Sequence, residues 1–494
     1  MKTAIVRPRA SALAESLRDI GYSFETAVSD IIDNSIAADA TAIDIWCLGD
    51  GDPLQLAIID NGTGMGETRL IDAMRPGSAD PRDQRSESDL GRFGLGMKTA
   101  SFSQARRLTV ASRQRDGEIS AACWDLDRVS EENEWVLELP EGEGLARTPW
   151  LDRLPGTGTL VLWEKLDRFA ESLDGEGRAD LVNAKLAALS RHLSLVFHRF
   201  LSGGGRRKRK LAMRINNRPI TAFDPFFLDH PATQTTPMER VRIGKSDIEI
   251  QAHILPHHSK LSPETRDFYQ SRGDFLSNQG AYVYRNDRLM AWGNWFGMKA
   301  KGEATKLARV RIDFTSELDD QWTIDIKKSR AHPPPEVRRR FRQIIDRITD
   351  RSVKVYTGRA TRALADDKLP LWRRIPTHGG MAYVPDRKHP LVESLHKRLD
   401  ADGQRHLECL LEGMSSALPV DAIYVDLATA PGGHVAAAET MTEDECRARL
   451  LELRHLVDPG GKMGAAIFRK VALSTGLFSN CESLAESIIT EICS

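Results

Sequence analysis

The stretch that most restricts this chain is LQLAIIDNGTGMG, residues 54–66. An apolar, β-branched run of this length reads as a strand. It closes on a carboxylate, Asp60, and breaks at once into a glycine-rich turn containing Gly62 and Gly64. Glycine lets backbone come close to a ligand and leaves amide donors uncovered. A carboxylate at the end of an apolar strand can accept hydrogen bonds from an exocyclic amine, such as that of adenine. A second glycine set follows, Gly91-Arg92-Phe93-Gly94-Leu95-Gly96-Met97-Lys98, just ahead of a predicted helix start at MKTASFSQA. Amides and the dipole at a helix start favour phosphate, and Lys98 adds a point charge. The chain has no Gly-x4-Gly-Lys-Ser/Thr run, which excludes a P-loop. One glycine-rich turn would say little; two in this order say more.

Upstream lies VSDIIDNSIAADAT, residues 28–41. Asp30 and Asn34 are four apart, which on a helix puts both on one face. Alone, the pair reads as a polar stripe or cap beside Ile31, Ile32 and Ile36. Next to the two glycine sets it reads as chemistry. A carboxylate can orient or deprotonate a water. An amide oxygen one turn away is a hard ligand suited to Mg²⁺. Metal, phosphate cradle and a water-positioning base are the parts that phosphoryl transfer needs.

Along the rest of the chain, residues 11–38 read as a helix in two pieces broken near Gly21. TAIDIWCLG (41–49), RLTVAS, ISAACWDL, EWVLEL and GTLVLWEKL read as strands. Residues 75–96 are polar and glycine-bearing, the mark of a functional loop. Residues 178–202 form a predicted amphipathic helix with Leu181, Leu186, Leu189, Leu193, Val196 and Phe200 on its apolar side. It stops at Gly203–Gly205, and RRKRK (Arg206–Lys210) marks a break. Strand-like pieces follow: KLAMRINNRPI, DIEIQAHIL, AYVYRNDRLMAW, ARVRIDF and WTIDIKK. A basic helix is expected over 335–350 and mostly helix over 351–494. Thr442 with Glu445, and Ser479 with Glu482, are capping-box candidates. Trp292, Trp295 and Phe296 read as core rather than as an exposed cluster.

Taken together, residues 22–161 resemble the GHKL ATPase family, which groups gyrase, the heat-shock chaperone of that fold, histidine kinases and MutL. Asp30 and Asn34 match its first motif; Asp60, Gly62 and Gly64 the second; Gly91, Gly94 and Gly96 the third; Gly158-Thr159-Leu160-Val161 the fourth. GYSFETAVSDIIDNSIAADAT and GRFGLGMKTASFS look most like the MORC and bacterial MORC-like branch. The resemblance implies an α+β chain: a GHKL (Bergerat) α/β sandwich over 1–175, a linker helix and basic segment over 176–210, an α/β transducer over 211–350, and a mostly helical region over 351–494. It implies ATP and Mg²⁺, with Asp30 as the base and Asn34 as the Mg²⁺ ligand. Nucleotide contact then falls to Asn34, Asp60, Gly62, Gly64, Met65, Gly91, Phe93, Gly94, Leu95, Gly96, Met97, Lys98 and Thr159. The family's transducer lysine maps to QWTIDIKKSRAHPP, so Lys327 or Lys328 is the expected γ-phosphate contact. Strand alternation sends the two to opposite faces. Hydrolysing members usually carry Glu where this chain has Asp30. The shorter side chain implies slow turnover with ATP binding intact.

The formal net charge is −1, which gives no global field toward nucleic acid or membrane. DNA contact, if made, must come from the local clusters Arg206–Lys210 and Arg338–Arg342; the bland reading of both is solvated charge. Six scattered cysteines without a CxxC pair suggest a reduced, cytoplasmic chain. No signal peptide or membrane span is expected. Two activities compete. In one, an ATP-gated homodimeric clamp acts on DNA, as MORC-like and MutL-like proteins do, with bacterial relatives found in DNA-conflict and anti-phage systems. In the other, a chaperone-like ATPase recruits an effector protein through 351–494. A histidine kinase fits poorly, since no phosphoacceptor helix precedes the ATPase-like region.

Overall fold

The structure, a computed structural model, describes residues 3, 9–49, 53–77, 96–169, 176–205, 209–244, 246–256, 261–263, 277–302, 305–319, 321–324, 331–348, 371–377, 380–419, 441–475, 477–478 and 481–493. It divides into two compact units, residues 1–353 and 354–494.

Among the described residues the first unit holds two large sheets and a two-stranded pair, Thr323–Ile324 with Ala331–His332. The first contains β1 (Ala42–Trp46), β2 (Leu56–Asp60), β3 (Arg107–Arg113), β4 (Ile119–Asp125), β5 (Gly158–Glu164), β6 (Ala212–Ile215) and β7 (Arg218–Pro219). Their order is β4-β3-β5-β2-β1-β6-β7. All neighbours are antiparallel except β1 and β6, which pair in parallel from Ala42 opposite Ala212. The first sheet therefore continues past position 210, and residues 212–219 belong with it rather than with the sheet that follows. EWVLEL, expected as a strand, contributes an isolated bridge between Cys123 and Glu138.

Every residue of β2 is buried, because both faces of this sheet are covered. Ile58 faces a core with Val28, Ile31, Ile32 and Ile36 of helix α2 (Phe24–Ala37). Ala57 and Ile59 face the opposite core with Leu160, Leu162 and Leu154. The helical layer is made by α1 (Ala10–Arg18), α2, α4 (Gly96–Gln104) and α7 (Glu176–Val196), with α3 (Glu67–Met74) and α5 (Leu126–Glu132) beside them. Between α5 and α7 lies the short α6 (Gly142–Ala146), whose Leu145 packs on the second core. Helix α2 starts after Ser23, whose hydroxyl accepts from the Thr26 amide.

The second sheet runs β12-β11-β13-β10, with β8 (Gln234–Thr235) and β9 (Glu239–Ile243) sharing the outer edge of β10 (Ser246–Ile254). Strands β11 (Gly280–Arg285) and β12 (Arg288–Asn294) form a hairpin, and β13 is Ala308–Phe314. Its two-residue turn is Asn286-Asp287 with φ +48° and +70°, the left-handed values that residues of this type tolerate in a type I′ turn. A helix over 335–348 buries Val337, Phe341, Ile344, Ile345 and Ile348, and Phe341 stacks on Trp295 with centroids 6.1 Å apart. Trp295 is buried and Trp292 packs partly buried on the first core, in line with their core reading.

The second unit contains a hairpin, Trp372–Thr377 with Gly380–Pro385, where mostly helix was expected. Helices follow at Pro390–Arg398, Ala401–Ser416, Glu443–Val457, Ala465–Ser474 and Glu482–Cys493. Thr442 and Glu445 form the expected capping box; Ser479 lies outside the described residues. Among the described residues, no helix is long and apolar enough to cross a membrane.

Candidate functional site

The site is built along α2. Its apolar positions face the first core, and the remaining edge carries Asp30, Asn34 and Ser35. Asp30 is 4% exposed. Its Oδ2 accepts from the Tyr22 hydroxyl at 2.9 Å, in the segment just before the helix. Gly96 opens α4 beside it: a Cβ there would lie 3.4 Å from the same oxygen. The middle of α2 thus meets the N-terminus of α4, where amide donors and the dipole favour an anion.

One and a half turns on, Ser35 donates to Asp60 Oδ2 at 2.7 Å. The Gly62 amide donates to Asp60 Oδ1 at 2.8 Å. Burial pushes the Asp60 carboxyl up from the ordinary range, against the hydrogen bonds from Ser35, Gly62 and Thr159. Gly62 has no room for a side chain, since its Cβ would sit 2.8 Å from the Ala38 carbonyl at the end of α2. At Gly64, φ is +67° and a Cβ would meet the Arg113 carbonyl at 2.0 Å, so the turn requires glycine. Ser112 ties the floor together: it accepts from the Met65 amide at 2.8 Å and shares a hydrogen bond with Thr159 at 2.9 Å. Asp60 and Thr159 are partners across β2 and β5.

Asp30, Asp60, Gly62, Gly64, Met65, Gly96 and Thr159 are therefore gathered around one helix and one strand end. At about 1.5 Å per residue, Asp30 and Ser35 are about 7.5 Å apart along α2, which sets the Asp60 end of the site apart from the start of α4. Asn34 lies between them and is exposed. Its amide oxygen suits Mg²⁺ that takes its other ligands from phosphate and water. Met97 is partly buried and packs on the first core. Gly91, Phe93, Gly94, Leu95, Lys327 and Lys328 lie outside the described residues.

Lys98 is not a solvated charge. It is 2% exposed, and its Nζ donates to the Ala73 carbonyl, in the last turn of α3, at 2.8 Å. Burial brings its pKa down to about 8. Of the basic clusters, Arg209 and Lys210 are exposed, as are Arg338, Arg339 and Arg342, while Arg206–Lys208 lie outside the described residues. Arg340 is held at 2.5 Å by Glu239.

Sequence reasoning missed Tyr22, Ser35 and Ser112, whose roles emerge only once strands and helix are in register. It also missed Asp33. This residue is 1% exposed and takes the Arg288 guanidinium at 2.9 Å on both oxygens. A buried acid on a helix demands a cation, but nothing local names the one 255 residues away.

Residues 22–148 match the family described as histidine kinase-, DNA gyrase B-, and HSP90-like ATPase. The chain is also similar to ATPase MORC2B of Mus musculus, 30% identical over 135 residues. That stretch is 26% of this chain and 13% of the mouse protein. In its N-terminal region the chain therefore carries a GHKL-type ATPase domain of MORC-like sequence.

Proposed function

We propose that this chain binds ATP along α2 and hydrolyses it slowly, with Asp30 as general base. The observation that carries this reading is the arrangement of two buried carboxylates, Asp30 on α2 and Asp60 against its end. Asp60, with the amide of Gly62 beside it, recognises the adenine amine. Asp30, oriented by Tyr22, faces the start of α4. Asn34 is the side chain that would hold Mg²⁺, which supplies charge neutralisation at the phosphates. The water oxygen attacks the γ-phosphorus, the bond from phosphorus to the β–γ bridging oxygen breaks, and Asp30 takes the water proton. One of Lys327 and Lys328 contacts the γ-phosphate, as the family resemblance implies. Aspartate reaches one methylene less far than glutamate, so turnover is slow while binding is intact.

On this reading ATP closes a homodimer that acts as a clamp on DNA, and a DNA-conflict or anti-phage setting follows from the MORC-like resemblance. Exposed Arg338, Arg339 and Arg342 support a DNA contact, because all three avoid the buried side of their helix. The test is phosphate release with and without DNA, together with light scattering with and without ATP. Wild type is expected to turn over slowly, to dimerise with ATP and to be stimulated by DNA. Asp30→Asn is expected to bind ATP and to lose about 100-fold or more in rate. Normal turnover in Asp30→Asn removes the assigned base. A monomer in ATP, with no response to DNA, removes the clamp and favours a protein-acting ATPase.

A further inference from the structure

Arg288 is the first residue of β12, placed directly after the Asn286-Asp287 turn. It is 4% exposed and reaches from the second sheet to α2. Its Nε donates to both oxygens of Asp33 at 2.9 Å. Its Nη1 donates to the Leu289 carbonyl at 3.1 Å and lies 3.6 Å from Met290 Sδ. Its Nη2 lies 4.0 Å from Asp30 Oδ1. The guanidinium also lies 5.7 Å from the Phe197 ring, just past the end of α7.

The Asp30 carboxylate is consequently approached from two sides. Tyr22 bonds Oδ2 and the Arg288 cation faces Oδ1. Asp33 fixes the guanidinium, so the distance from Nη2 to Asp30 is set by a two-oxygen contact rather than by a free side chain. A short general base gains more from such orientation than a long one, since it has fewer torsions with which to find the water.

We propose that Arg288 is a positioning residue for ATP hydrolysis, through which the β11–β12 hairpin of the second sheet orients Asp30. This rests on the ATPase reading above. A purely structural ion pair could be exchanged for apolar groups without harm to turnover. An orienting cation could not. Burial of the pair suits this comparison, because buried ion pairs replaced by well-packed apolar residues often leave stability unchanged or raised.

The test compares wild type, Asp33→Asn, Arg288→Lys and the double variant Asp33→Leu/Arg288→Met in the full chain. Three quantities are read: melting temperature, retention of labelled ATP, and kcat. The double variant is expected to melt near wild type and to bind ATP within about threefold, yet to lose about 30-fold in kcat, the scale of a misplaced catalytic group. Asp33→Asn keeps the cation beside Asp30 and is expected to lose less, and Arg288→Lys to recover part of the rate. A double variant that turns over ATP like wild type overturns the inference. So does a fall of ATP retention and kcat together, in step with melting temperature, across all variants. A wild type that does not bind ATP overturns the ATPase reading instead.

Discussion

Lys98 carries its charge in a buried place. In the unfolded chain a lysine titrates near 10.5, whereas burial brings this one to about 8. Below pH 8 both states hold the proton and the burial penalty is present in full. Between about 8 and 10.5 the unfolded chain holds more protons, so this group's contribution to stability rises with pH across that window. Phosphate brought near α4 favours the charged form and raises the pKa again. ATP binding at pH 8–9 is therefore expected to take up protons. Calorimetric titrations in two buffers of different ionisation enthalpy measure this, and Lys98→Met is expected to abolish the uptake. Equal heats in both buffers for wild type would keep Lys98 away from the phosphates. Asp60 is the opposite case, a carboxylate raised by burial against three hydrogen-bond donors.

At the scale of elements, the helix over 335–348 shows a stripe of apolar residues whose purpose is to close one face of the second sheet. Phe341 is fully buried and lies against both Trp295 and Phe296. Phe341→Ala is expected to cost about 3–5 kcal/mol, read as a lower melting temperature, with the ATPase site unaltered in a protein kept cold. A loss below about 1 kcal/mol would mean that this helix does not contribute to the core, since Phe→Ala inside a core costs about 3–5 kcal/mol. The neighbouring arginines at 338, 339 and 342 follow from the same periodicity. They are on the outside because 337, 341, 344, 345 and 348 are inside. Helix α2 follows the same rule, with its isoleucines against the first sheet and its acids on the edge toward α4 and β12.

For the whole molecule, a net charge of −1 leaves affinity for DNA to local clusters. If the helix over 335–348 engages phosphates, binding must weaken with salt. Replacing Arg338, Arg339 and Arg342 by alanine is expected to lower the slope of log affinity against log salt by about one for each phosphate no longer neutralised. Filter retention over a range of salt concentrations checks this. An unchanged slope would place the DNA-binding surface elsewhere on the chain. The 354–494 unit has its own core, built on Leu450, Leu453, Phe468, Ala485 and Ile488, while Leu410, Leu451 and Ile467 stay exposed.

Much of the ATPase region was legible because its signals are local. A strand ending in Asp60 before Gly62 and Gly64, and a helix carrying Asp30 and Asn34, are short-range patterns. Their order alone pointed to a nucleotide. Burial and register could not be read this way. That Lys98 turns inward to Ala73, that Ser35 bonds Asp60, and that residues 212–219 complete the first sheet depend on how elements pack. The Arg288–Asp33 pair is the extreme case, joining a hairpin of one sheet to a helix that covers the other. Sequence by itself determined which residue types and turns were present, because backbone preference and periodicity act over a few residues. Tertiary structure alone decided which charges were buried and who their partners were, because desolvation acts only where distant segments exclude water together.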